Sequence, residues 1–93
     1  MLLLPATVTL NGSRDALRLL AQGVRTEPDS GVVIDASALQ QFDTSALAVL
    51  LECQRLAKAD GKPFSLHRAP PKLRDLAKLY GVDALLLAEQ AAA

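Results

Sequence analysis

The chain opens with apolar residues in short runs and then changes period. Leu2 to Leu4 form a brief apolar run broken by Pro5, as an edge strand would be. From Ala6, "ATVTLNG" alternates around Val8 and Leu10 and stops at Asn11-Gly12, the pattern of a half-buried strand ending in a turn. Ser13 then stands as N-cap to "RDALRLLAQGVR", where Leu17, Leu20 and Val24 recur at helical spacing and can face a sheet. Gly23 is either the weak point of that helix or its end.

Pro28, Asp29 and Gly31 give "TEPDSG" loop chemistry, and the β-branched run "VVID" beyond it reads as a central strand buried on both faces. After "ASALQQ" the period becomes helical: Leu47, Leu50, Leu51, Gln54 and Ala57 share a stripe, while Glu52, Arg55 and Lys58 lie elsewhere. Asp60-Gly61 ends this helix. "KPFSLHR" alternates again, with Phe64 and Leu66 on one side and Ser65 and His67 on the other, which predicts a third main strand. Following Pro70-Pro71, "KLRDLAKLYG" puts Leu73, Leu76, Ala77 and Tyr80 at helical spacing, Tyr80 in the core or at its border, with Gly81 as the residue after the cap. The final "VDALLLAEQAAA" adds a strand or a short helix before a frayed tail. No repeats are present.

Strands alternating with helices predict an α/β sheet with right-handed crossovers. Sites in such folds lie beyond the carboxyl ends of the central strands. The segment Asp43-Thr44-Ser45 falls at one of those ends.

Composition narrows the function. The 93 residues suit one domain, and with 51% hydrophobic but only 3% aromatic residues the core must be aliphatic, Phe42, Phe64 and Tyr80 being the only rings. Ten cationic and ten acidic residues cancel, which removes the attraction that nucleic-acid binders rely on. Seven of the cations lie between Arg55 and Lys78, spread over a helix, a strand and a helix as solvated faces. Cys53, the single cysteine, sits among Leu50, Leu51 and Leu56 as a buried small hydrophobe suited to a reducing compartment. "MLLLPATVTL" lacks a basic leader region, and no apolar run approaches the roughly 18 residues of a membrane span, so a cytoplasmic protein with no direct membrane insertion is expected.

Catalytic chemistry finds few candidates. His67 has no Ser or Cys partner motif and reads as solvent-facing or satisfied. Metal-ligand spacing and P-loop glycines are missing, so neither enzyme activity nor a metal or other cofactor is expected. What remains is the hydroxyl pair. Asp43 or Thr44 can cap the orphan N–H groups at the helix start, and either choice leaves at least one hydroxyl over. Ala46 and Ala48 are small enough for another protein to come close.

The segment "VVIDASALQQFDTSALAVLLECQRLAKADGK" resembles the signature of STAS domains, in which a buried strand leads through a loop into Asp-[Ser/Thr]-[Ser/Gly]-Gly-Leu and a helix. The likeness continues through "LRDLAKLYGVDALL" and covers most of the chain from about Thr7; Ala46 departs from the usual glycine. It implies a single small α/β domain of STAS type over residues 1–93, with helices on a mixed β-sheet of about four strands, a core over about 6–87 and a frayed tail at 88–93. "FDTSALAVLLECQRLAKADGK" and "LAKLYGV" are most similar to the branch serving Mla-type phospholipid-transport ABC systems.

That branch implies a non-catalytic, cytoplasmic accessory, peripheral on the inner membrane. It binds the transporter's ATPase subunit, and through it the permease, in support of outer-membrane lipid asymmetry. Partner binding then falls on Asp43, Thr44, Ser45, Ala46 and Leu47, with Thr44 matching the family's functionally important threonine. The alternative is an anti-sigma factor antagonist, a branch in which the residue matching Ser45 is phosphorylated; Ser45, or else Thr44, is the candidate phosphoacceptor.

Overall fold

The computed structural model describes residues 2–83 and 86. In chain order the elements are β1 (Leu2–Leu3), β2 (Thr7–Val8), α1 (Ser13–Thr26), β3 (Val32–Asp35), β4 (Gln41–Phe42), α2 (Thr44–Ala59), β5 (Phe64–His67) and α3 (Pro71–Leu79). The α/β class is as expected. The sheet differs: instead of one mixed sheet of about four strands there are two ladders, β1-β3-β5 and β2-β4, and every pairing among the described residues is parallel. Parallel neighbours need a long connection, and α2 supplies it between β3 and β5.

β3 is central in its ladder. Leu2, Ile34 and Leu66 stand in register, as do Leu3, Asp35 and His67, so successive rows alternate between the two faces. The Ile34 row points into the core. The opposite row carries exposed Leu3 and His67, and Val33 is only half-buried, so "VVID" is less completely enclosed than its composition suggests.

α1 packs along α2, and Leu20, Val24, Leu47, Leu50, Cys53 and Ala57 join Val32, Ile34 and Leu66 in one aliphatic core. Gly23 does not end α1, which runs on to Thr26. A Cβ there would collide with Leu2 Cδ2, so the glycine admits β1 to the helix surface. Ser13 is not the N-cap; Gly12 is, and the Ser13 hydroxyl donates to the Leu10 carbonyl at 3.3 Å.

Two other expectations about the core change. Leu10 lies beyond β2 in the turn before α1 and is 77% exposed, because strand alternation ends at Val8. Tyr80 is 59% exposed. It is the C-cap of α3, where the helical projection that buries Leu73 and Ala77 no longer applies. The expected frayed tail at 88–93 lies outside the described residues.

Candidate functional site

Asp43 organises the corner where β4 meets α2. Its extended backbone makes it the N-cap, and its carboxylate Oδ1 accepts from the Ser45 N–H at 2.9 Å and from the Ser45 hydroxyl. Oδ2 accepts from the Leu10 N–H at 3.1 Å, tying the turn before α1 to the start of α2. The Ser45 hydrogen bonds, followed by the Leu10 bond, hold the Asp43 carboxyl below its ordinary value of 3.8.

With Asp43 capping, the hydroxyl pair splits. Ser45 is half-buried and its hydroxyl is committed to Asp43. Thr44 is exposed, and its hydroxyl bonds to none of the described residues. Ala46 and Leu47 face inward, both buried in the core, because positions N3 and N4 of α2 turn toward the sheet; neither side chain can be a contact surface. Ala48 does stay exposed, as a close approach requires.

Two depressions flank the corner. The larger, about 780 Å³, lies between the β4–α2 junction and α3, with Gln40, Gln41, Phe42 and Thr44 on one side and Lys72 and Leu76 on the other. The smaller, about 340 Å³, lies between α1 and α2 and includes Arg14, Ser45, Ala48 and Glu52. Both are open at the surface.

A second acidic side chain is committed within the fold. Asp35, at the carboxyl end of β3, is only 3% exposed; its Oδ1 accepts from the Ser37 N–H at 2.8 Å and its Oδ2 from Arg68 Nη1 at 3.2 Å. The Ser37 hydrogen bonds first, and the Arg68 charge after them, lower its pKa. Arg68 reaches Asp35 from a left-handed backbone (φ 58°), a conformation that costs a non-glycine residue roughly 1–2 kcal/mol. This pair links the segment running from β3 to β4 with the one running from β5 to α3. In the sequence Asp35 reads only as the end of a strand, and nothing there announces its partner in Arg68.

Other chemistry is sparse. His67 is exposed at the end of β5. Cys53 is fully buried, and burial, with a smaller contribution from Glu52, pushes its thiol up to about 11, which makes it inert as a nucleophile. Among the described residues no three His, Cys, Asp or Glu side chains gather to hold a metal ion. None of the described helices is long and apolar enough to cross a membrane.

The chain is a small parallel α/β domain in which a capped, hydroxyl-bearing helix start follows β4. The family model described as "Mlab, STAS domain" matches residues 4–88, and the chain belongs to that family. It is 37% identical over 83 residues to the intermembrane phospholipid transport system binding protein MlaB of Escherichia coli (strain K12), covering 87% of this chain and 86% of that protein. The MlaB of Shigella flexneri matches to the same extent. The chain is thus an MlaB-like STAS protein.

Proposed function

We propose that this chain is the STAS subunit of an Mla-type ABC transporter for phospholipids, and that it docks on the transporter's ATPase subunit through the corner formed by Asp43, Thr44 and Ser45. The observation that carries the proposal is the exposed Thr44 hydroxyl, held at the rim of a depression and used by no described residue. A cap needs one polar side chain; Asp43 is that cap, so Thr44 is surplus to folding. The resemblance to MlaB supplies the class of partner.

In this reading the protein is non-catalytic and cytoplasmic, peripheral on the inner membrane through the ATPase and its permease. It acts by binding one conformation of the ATPase more tightly than others, since equal affinity for all of them shifts no equilibrium. Asp43 holds the tip, Ser45 locks the Asp43 carboxylate, and Ala46 and Leu47 anchor the helix start in the core. A phosphorylation switch at Ser45 ranks below this reading, because phosphate there displaces the bond to Asp43 and puts two anionic groups side by side.

Co-expression with the cognate ATPase subunit is expected to yield a complex that survives size-exclusion chromatography. Thr44→Glu, which brings an unpaired carboxylate into the contact, is expected to keep the fold and weaken binding by on the order of tenfold or more in calorimetry. Unchanged affinity removes Thr44 from the interface.

A further inference from the structure

We infer that the groove beside Thr44 receives a segment of the partner carrying a carboxylate next to an apolar side chain, with Lys72 as the residue that selects the carboxylate. This rests on the docking reading above and names the chemistry that the docked segment presents. Phe42 and Leu76 are half-buried, pack against the core and give the groove an apolar floor. Lys72, on the first turn of α3, is exposed on the opposite wall from Thr44 and forms no ion pair with any described residue.

Asp43 is the one carboxylate among the lining residues; it keeps its negative charge but forms no ion pair with Lys72. Its oxygens are already taken by the Leu10 N–H, the Ser45 N–H and the Ser45 hydroxyl. The amides of Gln40 and Gln41 and the hydroxyls of Thr9 and Thr44 can each donate or accept, so the Lys72 ammonium is the one lining side chain that only donates. The Lys72 ammonium beside an apolar floor is complementary to a carboxylate and a hydrophobic side chain on one segment, with the Thr44 hydroxyl able to donate a second bond. A basic segment would meet Lys72 with like charge.

The test is calorimetry of the full chain with its cognate ATPase subunit at several salt concentrations, comparing wild type, Lys72→Gln, Lys72→Arg and Lys58→Gln. Lys58 is exposed at the far end of α2, so its replacement makes the same change in net charge away from the groove. Lys72→Gln is expected to weaken binding roughly three- to five-fold and to flatten its salt dependence, as loss of one solvent-accessible ion pair does. Lys72→Arg keeps both properties and Lys58→Gln leaves affinity unchanged. Thermal melts of each variant show that the fold is intact.

If Lys72→Gln behaves like Lys58→Gln while Thr44→Glu still weakens the complex, the carboxylate-selecting groove is wrong and the docking corner stands. Tighter binding by Lys72→Gln identifies a basic segment and also overturns the inference. Wild-type protein that does not bind the ATPase at all overturns both readings.

Discussion

Three consecutive polar residues at the start of α2 divide three tasks. Asp43 satisfies the helix start and the Leu10 N–H, Ser45 secures the Asp43 carboxylate, and Thr44 is left facing outward. Because hydrogen bonds in the fold lower the Asp43 pKa below 3.8, the ionised form is the one that stabilises. Its contribution is complete above the ordinary value and is lost as pH falls through the lower, folded one. Asp43→Ala is therefore expected to lower Tm at pH 7, and the gap from wild type is expected to narrow as pH falls below 3.8. A gap of constant size across that window contradicts the assignment. The cap and the surplus hydroxyl are legible in "FDTS", because both are relations between neighbours. The Leu10 bond joins residues 33 positions apart, and no local pattern carries it.

At the level of elements, helix ends show the same division between local and distant causes. α2 and α3 close with the same device: Gly61 (φ 70°) and Gly81 (φ 72°) take the left-handed conformation, and Lys62 and Val82 donate backbone N–H groups to Ala57 and Ala77. Both glycines are readable as terminators. α1 is finished by a residue from elsewhere in the chain, since the Lys62 ammonium, on a residue only 8% exposed, donates to the carbonyls of Val24 at 3.0 Å and Arg25 at 3.1 Å. This places a cation at the negative end of the helix and satisfies carbonyls that helix geometry leaves open. Lys62→Met keeps the aliphatic stem and deletes both bonds, so urea unfolding is expected to show a loss of about 2 kcal/mol with an unchanged m-value. Stability equal to wild type shows that the amine is dispensable. In the sequence Lys62 is one more cation after a turn.

For the molecule as a whole, periodicity finds the helices and the aliphatic core but not how the strands pair. β1, β2 and β4 are two residues long, too short for alternation to fix a partner or a direction. Leu10 and Tyr80 escape the same way, each sitting just past the end of the element whose period is extended to it. The candidate corner comes through because it lies at the joint of a strand and a helix, where chain order dictates position. Its groove does not, since Thr44 and Lys72 meet only when α3 folds back beside β4.

In the proposed function a partner covers this corner and groove. Hydrogen exchange of the full chain, alone and bound to its cognate ATPase subunit, tests it most directly. Slowed exchange is expected over residues 40–47 and over the first turns of α3, with the outer sheet face around Leu3, Val33 and His67 unchanged. Protection of that sheet face, with residues 40–47 exchanging as they do in the free protein, contradicts the account.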